Sequence, residues 1–201
     1  MLTKGQMQKY AEILLWGLKT ARKEKYKKGD IVLLRFGLAA VNMAEVLQGK
    51  ILETGFIPVL RTGSSPVMEH NFYEKADRRQ LTFVGPWETE LGKHLNGSIF
   101  LHAPDSLTHL ADLDSRKIGK AAVARKPLRD LLREREERGK YGWTLCTVPT
   151  AELAKHAGLT LKQYTHQVVR ACYLDKSDPV GAWRDIYRNA NEIKKWLNNM
   201  E

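Results

Sequence analysis

The sequence predicts an α/β domain of three layers, in which a mainly parallel sheet of four to five strands lies between helices. Two apolar runs bounded by glycine, 29–37 and 56–63, are typical of strands that are buried on both faces. The stretch between them, 38–55, has a helical pattern, and a strand–helix–strand alternation implies parallel strands joined by a right-handed crossover. The final third of the chain has helical patterns throughout.

The remaining elements follow from periodicity and from helix-capping residues. The first segment, 3–25, predicts an amphipathic helix with Thr3 as its N-cap. Pro66 follows two serines and predicts a helix start, and Pro127 predicts a bend in a long helical region. Two further strands are expected at 98–104 and 141–149. The other helices are expected at 64–83, 88–97, 112–140, 150–157, 160–174 and 178–200.

Length and composition indicate one ordinary domain of 201 residues, with 43% hydrophobic and 28% charged residues. No stretch approaches the roughly 20 apolar residues that span a bilayer, so we expect no membrane partner. The first residues lack the continuous apolar core of a secretory signal. Cys146 and Cys172 are too few for a disulfide framework. We therefore expect a cytoplasmic protein.

The formal net charge of +10 raises the possibility of nucleic-acid binding. The positive residues do not form one stripe, because 19–30 has the pattern of a solvated helix end and 133–140 mixes both signs. No aromatic residues are interleaved in a way that suggests base stacking. A basic surface, or a basic half with an acidic partner, is the favoured interpretation.

The carboxyl ends of the predicted strands are where ligands of such sheets usually bind. These ends carry Arg35, Arg61, Thr62, His102 and Thr147. No glycine-rich phosphate loop accompanies them, since neither 35–40 nor 61–66 has the required spacing. The pattern predicts a location for a site without defining its chemistry.

Metal-ligand patterns are weak in this chain. The sequence contains neither an HExxH nor a CxxC motif. His70 and Glu74 have the spacing to meet on one helix face, but a solvated face is the favoured interpretation. His102 and His109 flank a loop after a strand, where a binding role and an ordinary hydrogen-bonded role both remain open.

Cys146 lies in a strand that leads through Pro149 into a helix, an arrangement that many hydrolases use. A nucleophile elbow, however, needs its nucleophile in the sharp turn, whereas this cysteine comes earlier, inside the strand. A buried strand cysteine usually acts as a small hydrophobe. The sequence therefore predicts a core residue, and Cys172 is expected on the apolar face of its helix.

The last sixty residues resemble the N-terminal domain of metal-dependent aminopeptidases of the aminopeptidase T type. In that pattern a tryptophan–threonine strand leads into a Pro-Thr turn and a helix. The stretches 2–17, 27–35 and 72–91 also resemble this family, so the similarity covers most of the chain. The residues that carry it in the last third are Trp143, Thr144, Pro149, Thr150, Ala157, Gly158, Tyr164, Leu174, Asp175, Asp178, Pro179, Val180 and Trp183.

The resemblance implies a domain of a hydrolase that removes N-terminal residues from peptides. Family members are about twice as long, and two divalent metal ions, zinc or cobalt, are held by glutamates, histidines and an aspartate in a second, C-terminal domain. None of these ligands has a counterpart in 1–201, so no catalytic or metal-binding residue is assigned and the substrate-binding residues are unknown. The resemblance implies that 1–201 is a single domain that covers the catalytic domain, helps to form the chamber for peptides and contributes to a homodimer.

Two other functions remain open on the sequence. One is a stand-alone basic α/β domain that binds an anionic ligand or nucleic acid. The other is a natural stub that regulates the full-length enzyme.

Overall fold

A computed structural model describes residues 1–200, which are built around a four-stranded sheet. All strands are parallel, and their order is β2-β1-β3-β4. The predicted parallel α/β fold is therefore confirmed. The strands are β1 Ile31–Phe36, β2 Ile57–Thr62, β3 Gly97–His102 and β4 Gly142–Thr147.

Helices account for most of the remaining chain, and their bounds agree closely with the expected segments. The first crossover begins with a short 3-10 turn, Leu38–Ala40, before its helix. The helices are α1 Lys4–Ala21, α2 Val41–Glu53, α3 Pro66–Lys75, α4 Arg78–Thr82, α5 Pro86–His94, α6 Ser115–Ala124, α7 Lys126–Glu137, α8 Ala151–His156, α9 Leu161–Ala171 and α10 Pro179–Asn198.

Local capping explains where several helices begin. Thr3 and Gln6 form a capping box at the start of α1, as the sequence predicts. Asp77 forms a second capping box, so the helix expected over 64–83 is divided into α3 and α4. Pro127 lies in the first turn of α7, and the expected bend is a break at Arg125 between α6 and α7.

The main hydrophobic core lies on one face of the sheet. Val32, Leu34, Ile99 and Leu101 are fully buried there, against α1 and α2. Side chains of α9 and α10 extend this core beyond α1. Burial of each such aliphatic side chain contributes about 1.5–3 kcal/mol, so this face supplies most of the stability of the domain.

The opposite face of the sheet is covered much less completely. Leu33, Leu95 and Tyr141 form a small cluster there, packed by residues of α5 and α7. Toward β4, the side chains of Trp143 and Leu145 are 47% and 51% exposed. The third layer therefore covers only part of this face.

Strand β2 differs from its prediction, since the sequence indicated a strand buried on both faces. Ile57 and Leu60 are both about half exposed. The reason is the strand order, which places β2 at the edge of the sheet with β1 as its neighbour. None of the helices in the described chain is both long and apolar enough to cross a membrane.

Candidate functional site

A cavity of about 330 Å³ opens at the carboxyl ends of β1, β2 and β3. Its walls include Gly37, Gly63 and Ala103, each of which directly follows one of these strands. The chain leaves β1 toward β2 and later returns to the other side of β1 with β3, so the topology reverses between β1 and β3. Ligands of open α/β sheets usually bind in the crevice at such a reversal.

The structure brings together four of the five polar residues predicted at the strand ends. Arg35, Arg61, Thr62 and His102 all line the cavity. Thr147 does not, because β4 lies farther along the sheet and its end borders an apolar groove against α1. The backbone oxygen of Thr147 accepts a hydrogen bond of 3.3 Å from the Tyr10 hydroxyl.

The two strand-end arginines have different partners. Arg61 lies 3.1 Å from the Glu88 carboxylate, which also accepts hydrogen bonds from Arg125 at 3.0 and 3.2 Å. Glu88 is only 9% exposed, so the two guanidinium groups compensate a buried charge. Arg35 forms no ion pair or side-chain hydrogen bond within residues 1–200, and its guanidinium carbon lies 5.2 Å from the centre of the Phe100 ring.

Two histidines of this region are paired with carboxylates. His109 lies on the cavity wall with its Nε2 atom 2.9 Å from Glu69, and its Nδ1 atom is buried without a partner in the described chain. His70 lies 3.1 Å from Asp112. The sequence pointed to Glu74 as a neighbour of His70. The loop after β3 brings Asp112 to this histidine, a long-range contact that helical spacing could not show.

The metal ions implied by the resemblance do not fit the residues present. His70 and His109 each meet one carboxylate, and two side chains are too few for a stable metal site. Within the described chain, no group of three or more His, Cys, Asp or Glu side chains could hold a metal ion.

The thiol of Cys146 is part of the main core and only 4% exposed. Burial raises its pKa from the usual 9.0 to about 12, so the thiol stays protonated at neutral pH. Burial also raises the pKa of Cys172, whose sulfur lies 3.3 Å from the Tyr10 hydroxyl. The prediction of Cys146 as a core residue is confirmed, and neither thiol has the lowered pKa of a nucleophile.

Positive charge is concentrated at a second place, which comprises the end of α1 and the loop after it. Lys19, Lys25, Lys27 and Lys28 line a shallow pocket there. The sequence predicted a solvated helix end over 19–30, and Arg22 departs from this prediction. Arg22 is buried and pairs with Asp30 at 2.5 Å, because the loop folds back toward the start of β1.

Sequence reasoning missed three residues of this region. Phe100 lines the cavity, whereas Glu88 pairs with Arg61 and Asp112 with His70. Glu88 lies in α5, which also contains Glu90, and nothing in the sequence distinguishes these two glutamates. In the sequence, Phe100 has the pattern of an ordinary apolar strand residue, and Asp112 has that of an ordinary loop residue. No local signal identifies any of them, since each acquires its role from a partner distant along the chain.

Fold and cavity together define a doubly wound α/β domain with a crevice at the point where the strand order reverses. Residues 3–201 match the model of a family described as thermophilic metalloprotease (M29). The chain therefore belongs to this family of metallopeptidases, as the sequence resemblance indicated. A comparison with curated proteins finds no match.

Among solved structures, the fold is similar to that of wild-type AmpT from Thermus thermophilus, with a TM-score of 0.66. The two sequences are 18% identical, so this likeness concerns the fold alone. The match covers 92% of this chain and 46% of AmpT. The chain thus spans about half the length of that protein.

Proposed function

We propose that residues 1–201 form the N-terminal domain of a metal-dependent aminopeptidase that removes N-terminal residues from peptides. The observation that carries the proposal is the family match, which extends from residue 3 to residue 201. The fold shared with just under half of AmpT supports the idea that this unit is one domain of a longer enzyme. The two unpaired cysteines suit a reducing compartment, and we place the protein in the cytoplasm.

In this proposal the catalytic metals belong to a second domain. The family is one of metalloproteases, yet the described residues provide no three-ligand group. Two divalent ions, zinc or cobalt, are therefore assigned to a C-terminal partner domain. The chain by itself is expected to be inactive.

The role left for 1–201 is to cover the catalytic domain, to help form the peptide chamber and to support a homodimer. Exposed apolar surfaces support such contacts. In α10, Trp196 and Leu197 are 61% and 54% exposed, and Ile193 lies one turn earlier on the same helix. On the sheet, Trp143 and Leu145 form a second exposed apolar area. Apolar areas of this kind often mark interaction surfaces.

Net charge also supports a partner domain rich in carboxylates. The formal charge of +10 complements the negative charge of a domain that binds two divalent metals through acidic residues. Complementary charge favours correct association between two surfaces.

An assay of the purified chain tests the assignment of catalysis to another domain. Residues 1–201 are incubated with leucine p-nitroanilide and with added zinc or cobalt, and metal binding is followed by calorimetry. We expect no release of p-nitroaniline and no stoichiometric metal binding. Release that requires the metal and disappears with a chelator would overturn the assignment.

The reading frame downstream of Glu201 tests the assignment to a longer enzyme. We expect a continuation with strands that carry glutamate and histidine residues. A continuation without such residues would contradict the proposal.

A second candidate is a stand-alone domain that binds an anionic ligand or nucleic acid, and the lysine-lined pocket after α1 favours it. A salt titration of binding to random DNA separates the two functions. Micromolar binding that falls steeply with salt would support the second candidate. Weak binding without saturation would support the aminopeptidase domain.

A further inference from the structure

We propose that the cavity at the strand ends binds a small oxyanion, a carboxylate or a phosphate, through the guanidinium group of Arg35. The inference goes beyond the aminopeptidase assignment and does not depend on it. It rests on the charge balance, the geometry of Arg35 and the composition of the cavity wall.

The first argument is the charge balance beneath the cavity. Arg35 and Arg61 are register partners on neighbouring strands, which brings two like charges side by side. Such a placement is unfavourable unless other charges compensate it. Glu88 is the carboxylate at this place, and Arg61 and Arg125 already share it. Glu88 thus pairs with two guanidinium groups, and the exposed guanidinium group of Arg35 has no counterion in the described chain.

The second argument is the way in which Arg35 is presented. Its guanidinium group lies over the Phe100 ring, with 5.2 Å between the guanidinium carbon and the ring centre. A cation–π contact of this kind favours a position of the guanidinium group over the ring while leaving its N–H groups free to donate. A planar guanidinium is well matched to the two oxygens of a carboxylate or phosphate. The Phe100 ring also offers an apolar surface to the body of the ligand.

The third argument is the remaining wall of the cavity. The side chains of Ser64 and Ser106 add hydroxyl groups that can donate to an oxyanion. Two carboxylates also line the cavity: Glu69 is engaged by His109, and Asp105 belongs to the exposed rim. The volume of about 330 Å³ lies in the range of small-ligand pockets.

A titration followed by proton–nitrogen NMR tests the site. The purified chain is titrated with sodium phosphate, with the dipeptide Leu-Gly and with Leu-glycinamide, while sodium chloride keeps the ionic strength constant. We expect saturable shifts of the Arg35 side chain and of the backbone near Gly37 and His102. Arg35→Gln should weaken binding at least tenfold.

Arg188→Gln is the matched control. Arg188 lies on α10 and pairs with Asp185 at the surface, so this variant loses the same charge at another place. We expect its affinity to stay within twofold of the wild type. Arg35→Lys keeps the charge without the planar fork, and we expect it to retain part of the phosphate binding and to lose the dipeptide. The spectrum of each free variant reports whether it is folded.

Each outcome decides the proposal. Binding of Leu-Gly without Leu-glycinamide identifies a peptide carboxylate as the ligand, and binding of phosphate alone identifies a phosphate. The site is overturned if the shifts saturate with neither phosphate nor Leu-Gly. It is also overturned if Arg35→Gln and Arg188→Gln lose binding affinity equally. Hydrolysis of Leu-Gly by the chain would contradict the proposed function and leave the oxyanion site intact.

Discussion

The side chain of Cys146 shows how a residue acquires a role from its depth in the sheet. Strand, turn and helix follow one another around it, as they do around many nucleophiles, but the thiol points into the main core. Its position in the strand was enough to predict a core residue. The raised pKa, in contrast, results from burial against α1 and α9, which the sequence could not show.

This raised pKa predicts a loss of stability in alkaline solution. Below pH 9 the thiol is protonated in both the folded and the unfolded state. Between pH 9 and about 12 the unfolded thiol ionises while the folded one stays protonated, so the free energy of unfolding falls. The fall is at most about 1.4 kcal/mol per pH unit for one group. Burial of Tyr10 raises its pKa too and adds to the effect at higher pH.

Urea unfolding of wild type and Cys146→Ala from pH 8 to pH 11 measures the contribution of the thiol. We expect a shallower decline of the unfolding free energy in the variant above pH 9. Equal slopes for the two proteins would show that the thiol ionises alike in the folded and unfolded states.

Arg35 and Arg61 also show that the sequence can predict the position of a residue without predicting its partners. Their position at the carboxyl ends of two strands was predictable from the sequence, and the structure places both at the cavity. Their counter-charge was not predictable. Glu88 comes from α5 and Arg125 from the junction of α6 and α7, and only packing brings these groups together.

At the scale of elements, helix starts were the most predictable feature. A cap such as Thr3 acts through hydrogen bonds within three residues, so its signal is local. Strand environment was less predictable, as β2 shows, because its exposure depends on which strands lie beside it. The contact of Tyr26, in the loop after α1, with the start of β3 was equally unpredictable from the sequence.

Two glycines, one in a crowded and one in an open environment, provide a matched test of the packing between β3 and the loop after α1. A Cβ atom at Gly97, the first residue of β3, would lie 2.4 Å from the Tyr26 hydroxyl and 2.9 Å from a Leu18 methyl group. At Gly49, in an exposed position of α2, nothing lies within 4 Å. We expect Gly97→Ala to destabilise the domain by about 1–3 kcal/mol through overpacking. Gly49→Ala should stabilise it by about 0.5–1 kcal/mol.

Chemical denaturation of both variants provides the measurement. A Gly97→Ala protein as stable as the wild type would mean that Tyr26 and Leu18 move aside at no cost. A destabilised Gly49→Ala protein would contradict the open environment of α2 at this position.

At the scale of the whole molecule, the two faces of the sheet differ in how completely they are covered. One face carries the main core, whereas the other leaves Trp143 and Leu145 exposed near β4. The end of α10 is also apolar and exposed. Under the function proposed above, a second domain or a second subunit would cover these surfaces.

A pair of leucine substitutions distinguishes a core position from an exposed apolar position. Leu47 in α2 is fully buried, and Leu197 in α10 is 54% exposed. We expect Leu47→Ala to lower the free energy of unfolding by about 2–5 kcal/mol. Leu197→Ala should change it by less than about 0.5 kcal/mol, because the side chain gives up little buried surface. Similar losses of unfolding free energy for both variants in urea unfolding would show that Leu197 is packed as tightly as a core residue.

The sequence by itself determined the class of fold, the parallel arrangement of the strands and the starts of several helices, and its motifs resemble those of the metalloprotease family to which the chain belongs. These features depend on periodicity, on caps and on short motifs, which act over a few neighbouring residues. Only the tertiary structure decided that β2 is an edge strand, that one cavity gathers Arg35, Arg61 and His102, and that Glu88 is shared by two arginines and leaves Arg35 free. The physical reason is that burial and charge compensation arise between residues far apart in the chain, and their partners are set by packing.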